Sequence, residues 1–279
     1  MNSNNPAFPN LTFDSCSSFY QFLTTQRPDL LPMAKLGTQI SQQGFSESSL
    51  TDRLPPWPHG TTVLAFTYQD GVLIAGDRRA TEGFQIAATR MEKVFQTDAF
   101  SAMAIAGAAG PCMEMAKLFR IELEHYEKLD GQPLSCEGKA NRLGYMVKAN
   151  FPMVLQGLVV IPLFVGYDQK QGTGRLFKYD ITGGRYEDTE FHAVGSGGKD
   201  ARLTLKEHFR KNLPGEEAVR IAIRALSNAA EEDVGTGGPD LLRRIFPTVK
   251  LVDQQGVRDV EEAQLEAVCQ ELLTQEREA

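Results

Sequence analysis

Beyond residue 60, blocks of predicted strands alternate with pairs of predicted helices, and this order limits the fold more than any other feature of the sequence. The apolar, β-branched runs at 62–68 and 72–76 flank Gln69-Asp70-Gly71, a pattern typical of a β-hairpin. The remaining strands are predicted at 100–106, 158–167, 175–179, 185–194 and 248–253, and the helices from 110 onward and at 137–155, 199–211, 216–233 and through Leu265, Val268 and Leu272. Neither a doubly wound sheet nor an all-β sandwich gives this order. It favours two stacked antiparallel sheets with helices on each outer face.

Composition and charge exclude several functional classes. The chain has 29 basic and 36 acidic residues, a net charge of -7, which argues against a nucleic-acid partner. The best candidate for a membrane span, 154–166, is shorter than the about 18 to 20 apolar residues required and is interrupted by polar residues, glycine and proline. No basic start is followed by an apolar stretch, so we expect no secretory signal. Cys16, Cys112, Cys136 and Cys269 have neither CxxC nor metal-type spacing, which favours the reducing cytoplasm over a disulfide framework.

The first 60 residues differ from the rest of the chain. They hold seven of the 14 prolines but only seven charged residues, and no apolar period persists through them. The segment ends in Pro55-Pro56-Trp57-Pro58-His59-Gly60, a stiff extended run that cannot be helical. Two interpretations are open: a disordered tail, or a leader that is removed.

Common active-site motifs are absent from the sequence. His59, His125, His192 and His208 form no HExxH arrangement and no pair suited to a metal, so we expect no metal site and no cofactor. The run 195–200 superficially suggests a phosphate loop. However, Ala193 stands where that loop needs its first glycine, and Asp200 replaces the hydroxyl that would hold magnesium.

The junction of Gly60 with Thr61 suggests a different chemistry. A threonine hydroxyl needs a base to become a nucleophile, and a threonine at a chain start carries one in its own α-amino group. An α-amine with a pKa of about 7.7 to 8 is roughly one-tenth unprotonated at pH 7, whereas an ordinary lysine is unprotonated in about one molecule in 2,500. Cleavage after Gly60 would create that amine, and glycine leaves the attacked carbonyl unhindered.

Two charged residues beyond the hairpin could support such a nucleophile. Asp77 follows the second predicted strand, and Lys93 follows after a short loop. A lysine beside the new chain start would favour loss of the proton from the hydroxyl and the amine, and Asp77 could hold that lysine charged and in place. The alternative is a surface ion pair that contributes under about 1 kcal/mol.

With these residues aligned, the chain resembles the catalytic proteasome β-subunits of actinobacteria and some other bacteria. The resemblance extends from about residue 61 to 260. The segments that carry it are Thr61, Gly76-Asp77-Arg78-Arg79, Lys93, Ala106-Gly107, Glu122-Leu123-Glu124-His125-Tyr126-Glu127, Asn141-Arg142-Leu143, Ala193-Val194-Gly195-Ser196-Gly197 and Thr236-Gly237-Gly238-Pro239-Asp240-Leu241.

The resemblance implies an α+β fold, the four-layer αββα sandwich of N-terminal nucleophile hydrolases. It also implies two parts of the chain: residues 1–60, a propeptide removed by autocatalytic cleavage between Gly60 and Thr61, and residues 61–279, the mature catalytic domain. The expected activity is that of a threonine-type endopeptidase that degrades unfolded proteins inside a closed chamber.

By the same resemblance, Thr61 is the nucleophile and, through its freed amine, the base. Asp77 and Lys93 match the charge pair beside it, and the backbone N–H of Gly107 helps to stabilise the oxyanion. The polar network around the amine is matched by Ser196, Asp233 and Thr236. Thr236 replaces the serine of many family members but keeps the hydroxyl, so we expect activity to survive. Arg79 matches a structural arginine near the site.

Substrate contacts are also implied by the resemblance. Thr81 and Ala109 match residues that bond the peptide backbone, and Gly107 is also expected to bind substrate. The first specificity pocket is expected to be lined by Ala80, Met91, Ile105 and Ala109. Uncharged walls favour cleavage after apolar residues. For Ala80 and Ile105, core packing is an equally open interpretation.

The implied partners are a heptameric ring of β-subunits stacked on a second such ring, rings of α-subunits, and an AAA-type unfolding ATPase that acts through the α-rings. Protein substrates could be tagged with a ubiquitin-like modifier, although nothing in the chain encodes the tag. Two alternatives are an HslV-like two-ring peptidase and a non-catalytic structural ring subunit. The former lacks the C-terminal helical extension, and the latter usually lacks the threonine or the lysine.

Overall fold

A computed structural model describes residues 60–82 and 85–278 of the chain. The predicted leader, apart from Gly60, lies outside the described residues. The strands are β1 (Thr62–Tyr68), β2 (Gly71–Gly76), β3 (Ala80–Glu82), β4 (Gln85–Ala88), β5 (Val94–Asp98), β6 (Ser101–Gly107), β7 (Val160–Asp168), β8 (Thr173–Tyr179), β9 (Arg185–Asp188), β10 (Phe191–Gly195), β11 (Thr248–Asp253) and β12 (Gly256–Asp259). The helices are α1 (Ala109–Asp130), α2 (Cys136–Ala149), α3 (Phe151–Val154), α4 (Gly198–His208), α5 (Gly215–Glu232) and α6 (Glu262–Glu278).

The strands form two antiparallel five-stranded sheets and a separate β3–β4 hairpin. The first sheet has the order β10-β1-β2-β11-β12 and the second the order β5-β6-β7-β8-β9. In the first sheet β1 is an inner strand, pairing with β2 on one side and with the edge strand β10 on the other. This pairing brings the start of the described chain against the end of β10, where Thr62 is opposite Gly195.

Alternate residues of each strand face different layers, as the period of two in a strand requires. On β1, Leu64 and Phe66 pack against α4, α5 and α6, while Val63 and Ala65 face the second sheet. On β6, Ile105 and its neighbours on the same face pack against α1 and α2. The layers are therefore helices, sheet, sheet and helices, which confirms the predicted αββα sandwich.

Two predicted elements are wrong in their extent. The predicted strand at 185–194 is divided into β9 and β10, which belong to different sheets, because the chain bends at 189–190 and crosses between the layers. The predicted helix at 137–155 stops at Asn150, and the short α3 follows. Pro152 has no N–H to donate and its ring clashes with the carbonyl four residues earlier, so one continuous helix cannot form.

The described cysteines are free and buried: Cys112, Cys136 and Cys269. Burial raises the pKa of the Cys112 and Cys136 thiols to about 12, so both remain protonated at neutral pH. Within the described ranges, no helix combines the length and the hydropathy that crossing a membrane demands.

Candidate active site

Thr61 is held in place by backbone contacts with the turn after β10. Its carbonyl oxygen accepts the N–H of Ser196 at 3.0 Å. Gly195 makes this approach possible: its φ is 108°, and a Cβ on this residue would lie 1.7 Å from the Thr61 carbonyl oxygen. Thr61 is 5% exposed. Backbone contacts with the turn after β10 therefore position the candidate nucleophile independently of the side chains around it.

Beneath Thr61, Asp77 and Lys93 form a buried ion pair with an N–O distance of 2.7 Å. The Asp77 carboxylate also accepts backbone N–H groups from Thr62 at 2.8 Å and from Arg79 and Gly237 at 2.9 Å each. Burial lowers the pKa of Lys93, and the charge of Asp77 opposes this shift. The alternative of a surface ion pair is wrong, because both side chains are almost fully shielded from solvent.

The Lys93 ammonium also contacts the peptide bond that precedes Thr61. Its Nζ lies 3.4 Å from the carbonyl oxygen of Gly60. On the N-terminal side of the same residue, the N–H of Gly60 donates to Thr81 Oγ1 at 3.0 Å. A fixed positive charge beside this carbonyl stabilises negative charge that develops on its oxygen during nucleophilic attack.

The backbone nitrogen of Thr61 lies at one end of a chain of polar groups. Its N–H donates to Ser196 Oγ at 3.2 Å, and the Ser196 hydroxyl donates to the Asp233 carboxylate. Thr236 Oγ1 donates to the same carboxylate at 2.5 Å, and the N–H of Gly235 does so at 3.1 Å. The structure thus brings the predicted Ser196, Asp233 and Thr236 together around the nitrogen of Thr61.

Gly107 ends β6 in a conformation that requires glycine. Its φ is 135°, and a Cβ would lie 2.0 Å from the carbonyl oxygen of Val159. The next residue, Ala108, donates its N–H to that same carbonyl at 2.9 Å. The backbone of Gly107 lines the pocket beside Thr61, where its N–H was predicted to act on the oxyanion.

A narrow pocket opens next to Thr61. Its walls contain four residues that were predicted to line a specificity pocket, namely Ala80, Met91, Ile105 and Ala109. The predicted Thr81 is not part of this lining; it contacts Gly60 instead. Ile105 also belongs to the core beneath α1 and α2, so it serves packing and the pocket wall together.

Three further pocket residues were missed by the sequence analysis: Glu92, Phe95 and Cys112. Phe95 is two residues beyond Lys93, in the strand β5 that begins directly after it, and Cys112 is about one helical turn beyond Ala109. These spacings could have indicated that Phe95 and Cys112 lie beside residues of the predicted pocket. The protonated thiol of Cys112 acts here as a small apolar group.

Arg79 connects two parts of the site. Its N–H binds the Asp77 carboxylate at 2.9 Å, and its guanidinium donates to the carbonyl oxygen of Val234 at 3.0 Å. It therefore ties the turn after β2 to the loop after α5 that supplies Asp233. In residues 60–82 and 85–278, no three His, Cys, Asp or Glu side chains converge as metal ligands would.

Comparison with known proteins gives consistent matches. The family described as Proteasome subunit matches residues 58–240. A protein named Proteasome subunit beta from Acidimicrobium ferrooxidans is 54% identical over 215 residues, which cover 77% of this chain and 79% of that relative. Proteins of the same name from Acidothermus cellulolyticus and Streptomyces griseus are 50% and 45% identical. Each match covers 92% of this chain, with 86% and 88% of the respective relative.

Proposed function

This chain belongs to the proteasome subunit family, as a β-type subunit, and we propose that it is a threonine-type endopeptidase that becomes active when residues 1–60 are removed. Membership makes it a peptidase of the proteasome family and part of a multi-subunit core. The observation that carries the proposal is the convergence on Thr61 of the buried Asp77–Lys93 pair from one side and of the Ser196–Asp233 pair from the other.

In the proposed activation step, the Thr61 hydroxyl attacks the carbonyl carbon of Gly60. The hydroxyl loses its proton, an ester bond forms between Gly60 and Thr61 Oγ1, and the peptide C–N bond breaks with the nitrogen taking up a proton. Water then hydrolyses the ester and releases the leader. Lys93, whose Nζ lies 3.4 Å from the Gly60 carbonyl oxygen, stabilises the developing oxyanion.

During turnover, the freed amine of Thr61 accepts the proton of its own hydroxyl, which attacks the carbonyl carbon of a substrate peptide. The peptide C–N bond breaks, the leaving amine receives a proton, and the acyl group remains on Thr61 Oγ1 until water hydrolyses the ester. The backbone N–H of Gly107 stabilises the oxyanion, a contribution typically of about 3 kcal/mol. Lys93 favours the deprotonated nucleophile through its charge.

The pocket beside Thr61 supports cleavage after apolar residues. Its walls from Ala80, Met91, Ile105, Ala109 and Cys112 are uncharged. Of the two charged residues in the lining, Lys93 is already paired with Asp77, and Glu92 would repel an acidic side chain. Burying a carboxylate against such walls without a partner is strongly unfavourable.

We further propose that the chain works in the cytoplasm, in heptameric β-rings stacked between rings of α-subunits, fed by an AAA-type ATPase with protein substrates that could carry a ubiquitin-like tag. The helix α6, after the last strand, disfavours an HslV-like two-ring particle, because that peptidase lacks a C-terminal helical extension. The presence of Thr61 and Lys93 disfavours a non-catalytic ring subunit, which usually lacks one of them.

The proposal is tested with the full chain, co-expressed with an α-subunit, in cleavage of fluorogenic peptides. Thr61→Ala abolishes cleavage while rings still assemble, whereas Thr61→Ser keeps a hydroxyl and an amine and retains part of the activity. Unchanged hydrolysis by Thr61→Ala would rule out Thr61 as the nucleophile.

A further inference from the structure

Thr62, the residue after the proposed nucleophile, links the two halves of the site. It is fully buried. Its N–H donates to Asp77 Oδ1 at 2.8 Å, on the side of the ion pair with Lys93. Its side-chain Oγ1 lies 2.6 Å from Thr236 Oγ1, on the side of Asp233. Thr62 therefore contacts Asp77 directly through its backbone, and it is connected to Asp233 through the hydroxyl of Thr236.

The contacts of these hydroxyls determine which atom donates in each hydrogen bond. An ionised carboxylate only accepts, so the Thr236 hydroxyl, 2.5 Å from Asp233 Oδ2, must donate to it. Its oxygen is then an acceptor for Thr62. The N–H of Gly197 donates to Thr62 Oγ1 at 3.0 Å, so the proton of Thr62 is free to point at Thr236. Each hydrogen bond in this series therefore has the same direction: Gly197 donates to Thr62, Thr62 donates to Thr236, and Thr236 donates to Asp233.

The hydroxyls of Thr62 and Thr236 are tightly packed, so neither has room to move to another hydrogen-bond partner. A Cβ added at Gly197 would lie 2.7 Å from Thr62 Oγ1 and 2.8 Å from Thr236 Oγ1, so the glycine backbone packs directly on both hydroxyls. The two threonines are fully buried, and water cannot substitute for a missing hydroxyl without a cavity to hold it.

We infer that the Thr62 hydroxyl is a positioning group for the proposed base, an inference that rests on the proposed function. By donating to Thr236, it commits the Thr236 proton to Asp233 and so fixes the carboxylate that also accepts from Ser196. Because the Ser196 proton is committed to Asp233, Ser196 Oγ presents only a lone pair to the nitrogen of Thr61. The amine therefore directs an N–H at Ser196 and keeps its own lone pair for the hydroxyl of Thr61.

The test compares Thr62→Val with Thr62→Ser in the full chain co-expressed with an α-subunit. Valine keeps the shape and removes the hydroxyl, whereas serine keeps the hydroxyl. The matched control is Thr97→Val, because Thr97 is also buried and forms a hydroxyl pair with Ser101 at 2.7 Å, away from Thr61. For each variant, particle assembly, the rate of cleavage after Gly60, and kcat and KM for a fluorogenic peptide are measured.

We expect Thr62→Val to assemble, to process its leader more slowly and to show kcat reduced by about fivefold, the size that loss of one neutral hydrogen bond gives. KM stays unchanged, since Thr62 does not line the pocket. Thr62→Ser restores both rates, and Thr97→Val leaves them near wild type. A Thr62→Val chain that keeps its leader beside a processed Thr62→Ser chain supports the same conclusion.

Three results would overturn the inference: a kcat of Thr62→Val within twofold of wild type, an equal loss in Thr97→Val, or a loss that Thr62→Ser does not restore. Failure of the proposed function looks different. In that case Thr61→Ala hydrolyses the peptide as fast as the unmodified chain, whatever the Thr62 variants do.

Discussion

Lys93 and Asp77 form a buried ion pair, with 2.7 Å between the ammonium nitrogen and a carboxylate oxygen, directly beneath the start of β1. Removing one partner of such a pair leaves an uncompensated buried charge. The pair is therefore both the support for Thr61 and a point at which the fold is vulnerable.

Lys93→Met tests this double role. We expect loss of peptide cleavage together with a destabilisation of about 3–5 kcal/mol, because Asp77 is left buried and charged. Thermal melting and peptidase assays on the same preparation measure both effects. Lys128→Met is the matched control: Lys128 pairs with Glu124 on the exposed surface of α1, and exposed pairs contribute under about 1 kcal/mol. Equal destabilisation by the two substitutions would contradict the role assigned to burial.

Gly107→Ala is expected to disrupt the site severely. The methyl group would lie 2.0 Å from the carbonyl oxygen of Val159, at a φ of 135° that L-residues rarely adopt. We expect peptidase activity to be lost and the melting temperature to fall. Gly110→Ala, only three residues later, is the control, because a Cβ there meets nothing within 4 Å. Gly110 is in the first turn of α1, where alanine fits, so the substitution should stabilise the fold by about 0.4–1 kcal/mol through reduced freedom of the unfolded chain. An active Gly107→Ala enzyme would contradict the predicted oxyanion geometry.

Stability should fall at acid pH because of His192. Burial lowers the pKa of His192 to about 4, from a model-peptide value of 6.5. Between these values the unfolded state binds a proton that the folded state does not, so the free energy of unfolding decreases as pH falls from 6.5 to 4. The total loss is roughly 3 kcal/mol. Thermal melts across this range should show a shallower slope for His192→Gln, and identical slopes would remove His192 as the cause.

The shape of the pocket beside Thr61 should set the cleavage preference. We expect peptides with a large apolar residue before the cleaved bond to be hydrolysed at least about tenfold faster than those with glutamate, since the lining offers no cation to the carboxylate apart from the paired Lys93.

Ala80→Leu narrows the pocket and should reduce cleavage after phenylalanine more than cleavage after alanine. Ala88→Leu is the control, because Ala88 pairs with Ala80 across the β3–β4 hairpin but is exposed and outside the pocket lining. A similar effect of both substitutions would contradict the assignment of the pocket.

The sequence predicted the sheets and their layers well where burial imposes a regular pattern. The β1–β2 hairpin and α5 have strong apolar patterns, α6 has apolar residues in line at Leu265, Val268 and Leu272, and the structure confirms all of these elements. The strands β3, β4, β5 and β12 were missed because each has only three to five residues and none shows a regular apolar alternation; β4 is exposed along its whole length. The crossing between β9 and β10 was missed because periodicity carries no information about which sheet a strand joins.

In the candidate site, too, some residues could be predicted from the sequence and others could not. Thr61, Asp77 and Lys93 could be proposed from the chemistry that a threonine nucleophile needs, and the structure places them together. Ser196, Asp233 and Thr236 came only from the family resemblance. Thr62 was missed because its partner Thr236 is 174 residues away in the sequence, and no local pattern reveals a hydrogen bond across that distance.

The most direct measurement is the intact mass of the chain in assembled, peptide-cleaving particles made by co-expression with an α-subunit. We expect the chain to begin at Thr61, with residues 1–60 lost from the unmodified chain and retained in Thr61→Ala. Active particles whose β-chains all keep the peptide bond between Gly60 and Thr61 would contradict the proposal that a free amine on Thr61 is the base.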